Sequence, residues 1–213
     1  MIISENVEQG SDEWFALRKG RATASQFKSI LTPGGKISKS AQGYIQKLVR
    51  ECVIDDPLEF IGNKFTDWGN DMEEEARLFF AKKMRLTGDE VGFVNRADGA
   101  PIGCSPDWMI HPTEKVSSKY SSGLEIKCPQ VDKHVSYVRD GVLPDEHKLQ
   151  VHGSMAVTGL PYWYFMSYFP CLNPLIIKVE RDEFTDKVTA ALDEFVIDYG
   201  SQRDEILDAI IPK

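Results

Sequence analysis

The sequence predicts a mixed α+β fold: a single domain with a mixed central β-sheet flanked by helices. Three features of the 213 residues lead there. Apolar residues recur at helical spacing in the first third and at the end of the chain. Short apolar runs of strand length fill the middle, and after residue 130 the two patterns alternate. A hydrophobic content of 42% is enough for a substantial core.

Taken in order, Ser11 is placed to cap a helix whose first turn holds Asp12 and Glu13, where carboxylates offset the positive dipole end, and Gly20 ends it. Thr23 and Gln26 have capping-box spacing and open a second helix with Phe27, Ile30 and Leu31 on one side. Pro33, Gly34 and Gly35 beside Lys36 and Lys39 read as a mobile basic loop over 32–40. Ala41, Tyr44, Ile45, Leu48, Val49, Cys52 and Val53 form a helical stripe. A connector is expected over 55–63, and a further amphipathic helix through Met72, Ala76, Phe79, Phe80 and Met84. Strands follow at about 91–95, 100–104, 108–111 and 123–128. Helices cover 132–139 and 145–158, strands 162–169 and 175–180, and a long helix runs from about 182 to 210. The domain thus reads as a basic helical part (about 11–55), a sheet core (about 65–180) and a closing helix.

Composition excludes several classes. No segment approaches the ~20 apolar residues of a membrane span, and residues 1–10 are acidic and poor in apolar groups, unlike a secretory signal. Cys52, Cys104, Cys128 and Cys171 show no C-x-x-C pair and no zinc-ligand rhythm, as expected of reduced, mostly buried thiols in a cytoplasmic protein. His147 and His152 lie five apart and no H-E-x-x-H occurs, against a zinc hydrolase. No phosphate-binding G-x-x-x-x-G-K-[ST] loop occurs, so action without ATP is expected. The net charge of −8 hides an asymmetry: residues 14–50 hold eight basic residues and no acidic one, so the first fifty sum to +4 and the rest to −12. A basic module on an acidic body can hold a polyanion locally, although a solvated basic face has the same pattern.

The chemistry centres on Ser105-Pro106-Asp107 and Leu124-Glu125-Ile126-Lys127. On a strand Glu125 and Lys127 share one face while Leu124 and Ile126 point into a core. Trp108-Met109-Ile110 makes a neighbouring strand that brings Asp107 to the same place. Two carboxylates and an ammonium there suit cation-assisted cleavage of a phosphodiester. Each motif alone is also common, E-x-K as a half-exposed pair and Pro-Asp as a turn.

Extended through Cys128-Pro129, these motifs resemble those of the phage lambda exonuclease group, the viral recombinase (alkaline exonuclease) branch of the PD-(D/E)xK nucleases. Trp14 with Leu17-Arg18-x-Gly20-x-x-Thr23-Ala24-Ser25, Trp68-Gly69 with Glu73, and Gln150 with Met155 resemble its other blocks in order, over residues 10–180. The resemblance implies a restriction-endonuclease-like core and a Mg²⁺-dependent, processive 5′→3′ exonuclease on double-stranded DNA ends, with Mn²⁺ able to substitute. It releases 5′-mononucleotides and leaves a 3′ single strand for phage-type recombination. It also implies a homotrimeric ring working beside a single-strand annealing protein, in a bacterial cell carrying a phage or prophage. An endonuclease of the same fold, or a non-catalytic ring that binds DNA ends, is the alternative.

By that resemblance Asp107, Glu125 and the carbonyl of Ile126 hold the metal, and Lys127 holds or deprotonates the attacking water. As a base, Lys127 needs its pKa lowered from about 10.4. Glu73 joins the active site, although a carboxylate in a first helical turn is commonly just solvated. Gln150 packs against Lys127 or its water. Arg18, Ser25 and Ser105 form a pocket for the terminal 5′ phosphate, helped by the start of the helix after Thr23. His147 stands where the family often carries an aromatic hydroxyl.

Overall fold

A computed structural model describes residues 1–54 and 64–210, without the side chains of 64–71. The expected 55–63 connector lies outside the described residues, and the Trp68-Gly69 block falls in the part of α3 whose side chains are not described. In chain order the elements are β1 (Ile2–Ser4), α1 (Asp12–Arg18), β2 (Ala22–Thr23), a 3-10 helix (Ala24–Ser29), α2 (Ala41–Val53), α3 (Lys64–Met84), β3 (Gly88–Asp89), β4 (Phe93–Asn95), β5 (Ile102–Cys104), β6 (Trp108–Ile110), β7 (Ser122–Lys127), α4 (Val131–Asp140), α5 (Asp145–Thr158), β8 (Tyr162–Ser167), β9 (Leu175–Glu180) and α6 (Glu183–Ile210).

Strand alternation organises the centre. Leu124 and Ile126 of β7 pack with Trp108, Met166, Ala76 and Phe80 beneath α3, while Glu125 faces the other way. Met109, Trp163 and Phe165 belong to the larger core, built with Phe27, Met155 and Phe195. The sheet order is β3-β6-β7-β8-β9; β7 and β8 run parallel, the rest antiparallel. A parallel pair needs a crossover, and α4 with α5 provides it. Gly159, at φ 72°, ends α5.

The mixed α+β class is as expected, but the strands form two sheets. A second sheet, β1-β4-β5-β2, joins the N-terminal segment to the middle of the chain, with β2 parallel to β5. Strands β1, β2 and β3 are not among the expected ones; they are two or three residues long and lie outside the apolar runs that mark the others. Ser11 caps α1 through its hydroxyl, which accepts from Trp14 N–H at 3.2 Å. Thr23 makes no such cap, and the segment after it is a six-residue 3-10 helix. Its backbone pairs with Gly103 and its hydroxyl accepts from Arg18. The 32–40 loop is closed by a bridge between Leu31 and Ile37 and by the Ser40 hydroxyl donating to the Ser29 carbonyl. Cys104 is buried, but Cys52 and Cys171 are exposed, because they sit at the end of α2 and in the turn after β8. Among the described residues, no helix is long and apolar enough to cross a membrane.

Candidate active site

Register places the central residues. Trp108 pairs with Leu124, so the residue before β6 lies beside the far half of β7. There an Asp107 carboxylate oxygen accepts from the Ile126 N–H, and the Asp107 N–H donates to the Leu124 carbonyl at 3.2 Å. Glu125 is 2% exposed, yet its Oε1 accepts from both the Lys127 ammonium and Gln150 Nε2, the latter at 2.6 Å. Gln150 therefore orients Glu125, where the family resemblance implies packing on Lys127 or its water. The reason is that α5 packs against β8 and the 3-10 helix, and a Cβ on Gly153 would meet the Phe27 ring at 2.3 Å. That close approach sets α5 with Gln150 over the carboxylate.

The electrostatics are those of crowded acids. Burial, then the charges of Glu125 and Glu73, push the Asp107 carboxyl well above the usual carboxylate range, against Lys127 and the Ile126 N–H. Burial also raises Glu73, with Lys127 opposing and Glu125 adding to the rise. Burial acts against the Lys127 ammonium, but Glu125, Asp107 and Glu73 outweigh it and hold its pKa above the ordinary value. The protein alone therefore does not prepare Lys127 as a base. It keeps the side chain charged.

One ammonium faces three carboxylates in this half-buried place. Among the described residues, no three His, Cys, Asp or Glu side chains are grouped as a metal cage. The donor set still fits a hard divalent cation. Asp107 and Glu125 each engage one oxygen in the bonds above, the donors are all oxygen, and the surplus is negative. Mg²⁺ keeps several waters and takes few protein ligands, so two carboxylates and a carbonyl suffice.

Arg18 leaves the last turn of α1 and donates from Nη1 to Ser105 Oγ at 3.0 Å and from Nη2 to Thr23 Oγ1 at 3.4 Å. Thr23 Oγ1 is 3.4 Å from Ser25 Oγ, so Arg18, Ser25 and Ser105 come together around Thr23. The guanidinium lies 4.0 Å over the Trp14 ring, whose Nε1 also donates to Ser105 Oγ at 3.0 Å. Burial lowers the Arg18 pKa, but a guanidinium stays charged. Trp14 and Thr23 were not assigned to this pocket from sequence. Trp14 stands four residues before Arg18, one helical turn on the same face, and that spacing was the available signal. The short 3-10 helix has too little dipole to hold an anion, so the pocket rests on side chains.

Lys127, Glu125, Gln150 and Asp107 share one cleft of about 800 Å³ with Ser105, Arg18 and Ser25. Glu73 meets Asp107 in an adjoining cavity of about 1120 Å³. His147 lies stacked on Phe165, with Nε2 3.3 Å from the Tyr137 hydroxyl. Burial, then Lys127, lowers its pKa to about 4, so the ring is neutral at pH 7.

The profile of the YqaJ-like viral recombinase domain matches residues 13–161. The fold is similar to that of an alkaline exonuclease, LHK-Exo, from Laribacter hongkongensis: 25% identity, 93% of this chain and 100% of that one, TM-score 0.72. The same enzyme in complex with dAMP aligns over the same shares at 25% identity and TM-score 0.73. A phage-related exonuclease from Haemophilus somnus 129PT shares the fold at 16% identity, with 87% of this chain and 96% of that one covered and a TM-score of 0.63. No curated protein matches the sequence.

Proposed function

The chain belongs to the YqaJ-like viral recombinase domain family, and from that premise we propose that it is a Mg²⁺-dependent 5′→3′ exodeoxyribonuclease acting on the ends of duplex DNA. The observation that carries the reading is the shared cleft. Asp107, Glu125 and Lys127 line the same cleft as Arg18, Ser25 and Ser105. A guanidinium fork with hydroxyl donors binds phosphate bidentately. Ser105 is two residues from Asp107, so an end anchored there presents a nearby linkage to the carboxylates.

Asp107, Glu125 and the Ile126 carbonyl would hold a divalent cation, which would supply positive charge at the scissile phosphate and acidify water there. Gln150 fixes Glu125 in the orientation that binding requires. Lys127 holds the water and the phosphate oxygens by its charge; a bound cation would offset its carboxylate neighbours and so favour its role as a base. Mn²⁺ suits the same oxygen donors, and none of these steps calls for ATP. The reading extends to processive release of 5′-mononucleotides by a ring-shaped homotrimer, leaving a 3′ strand for a single-strand annealing protein.

One assay tests it. Linear duplex with a 5′ phosphate or a 5′ hydroxyl, and a closed circle, are incubated with the protein and Mg²⁺. Rapid loss of the phosphorylated strand, slower loss of the hydroxyl end and an intact circle are expected, with all activity abolished by EDTA. A cut circle points instead to an endonuclease, and end binding without nucleotide release to a non-catalytic ring.

A further inference from the structure

The cleft does not stop at the phosphate pocket. Thr23, which accepts from Arg18, lines the cleft together with Tyr44 of α2. The Lys47 ammonium stands 6.0 Å from the centre of the Tyr44 ring, and Arg50 follows one turn later on the same helix face. Lys47, Arg50 and Arg21 line the same cleft as Arg18. Moving away from the carboxylates, the order is therefore Ser105, Arg18, Thr23, Tyr44, then the cations of α2.

The charge exceeds what one phosphate needs. Lys127 is matched by its acidic neighbours, and Lys47 stands 3.9 Å from Glu51. Arg18 with its hydroxyls already satisfies a terminal phosphate. Among the described residues no ion pair holds Arg21 or Arg50, and Lys47, 49% exposed and only loosely held by Glu51, faces solvent in the cleft.

We infer that the face of α2 carrying Lys47 and Arg50 forms a second subsite, which binds phosphates lying 5′ of the one anchored by Arg18. The inference deepens the nuclease reading and rests on it. Its ligand is a DNA 5′ end bearing more than one phosphate beyond the scissile linkage. Two sources supply that chemistry: a short unpaired 5′ extension, or a 5′ triphosphate. With an extension, the anchored phosphate is an internal one. Water then attacks the next phosphate, the bond from phosphorus to the 3′ oxygen breaks, and the retained strand keeps a 5′ phosphate. The released piece carries the whole extension and ends in a 3′ hydroxyl.

The test uses the full chain with Mg²⁺ and three duplexes of one sequence: a blunt 5′ monophosphate, a two-nucleotide 5′ extension, and a blunt 5′ triphosphate. Lys47→Met combined with Arg50→Met is compared with wild type and with Lys178→Met, a cation on β9. The first product from the extended end should be an oligonucleotide containing the extension. The double variant should raise KM at least about tenfold for the longer phosphate ends, with kcat and the blunt-end KM unchanged. Loss confined to one of the two ends identifies that source. Fluorescence anisotropy of the same duplexes without Mg²⁺ should show the salt slope for extended ends falling by about 1.4. A mononucleotide as first product from the extended end, or equal effects on blunt and extended ends, or no effect on either, would overturn the subsite. Absence of turnover on the blunt monophosphate end by wild type refutes the nuclease reading instead, and the binding comparison still decides the subsite.

Discussion

Gly20 is held from both sides. Its N–H donates to Glu51 Oε2 at 3.1 Å, and its carbonyl accepts from the Tyr199 hydroxyl at 2.8 Å. It stands between Arg18 and Thr23 with φ at 66°, a left-handed conformation. A Cβ there would lie 2.6 Å from Cys52 Sγ. Side chains from α2 and α6 thus fix the chain path that brings Arg18 back to Thr23.

Glu51→Ala should therefore cost about 1–3 kcal/mol, the penalty for a buried donor left unpaired, and should weaken the preference for 5′-phosphorylated ends. Glu51→Gln, which keeps an acceptor, should restore most of both. Chemical denaturation and competition between phosphorylated and hydroxyl ends measure them. A Glu51→Ala protein of wild-type stability would show that the bond contributes nothing.

Asp107→Asn should abolish turnover and at the same time raise the melting temperature measured in EDTA. The carboxyl is raised because burial and the charges of Glu125 and Glu73 oppose its ionised form, so at pH 7 that charge costs the fold stability. An amide keeps an acceptor for the Ile126 N–H. A lowered melting temperature would contradict the electrostatic account even if activity were lost.

Gln150→Leu leaves Glu125 with Lys127 alone on Oε1. Outer partners of this kind typically cost ~10–100-fold in metal affinity or activity. The expected result is a rise of that order in the Mg²⁺ concentration for half-maximal rate, with the blunt-end KM for DNA unchanged. A purely structural role would instead lower stability without moving the Mg²⁺ dependence.

Arg18→Ala should mainly erase discrimination between phosphate and hydroxyl ends. An unchanged preference removes Arg18, and with it the pocket around Ser25 and Ser105, from end recognition.

The His147 pKa is lowered to about 4 in the folded chain by burial and then by Lys127. The unfolded imidazole titrates near ~6.5. Keeping the ring neutral favours the fold above that value, and the advantage is lost as the pH falls from about 6.5 through about 4. The stability difference between wild type and His147→Gln should be constant above pH 7 and shift toward the variant below 6.5. A difference independent of pH would contradict the burial of this ring.

Much of this was legible in the residues themselves. The alternation Leu124-Glu125-Ile126-Lys127 decides which side chains face the cleft, because period two admits no other assignment on a strand. The apolar stripe through Tyr44, Ile45 and Leu48 fixes the inner face of α2 for the same kind of reason. Tertiary structure decided the rest, since it depends on contacts between distant segments that leave no local period. Pairing of β2 with β5 turned Thr23 from a cap into a partner of Arg18, packing of α5 carried Gln150 onto Glu125, and three converging carboxylates kept Lys127 charged. Sequence chose the groups; proximity set their partners and their protons.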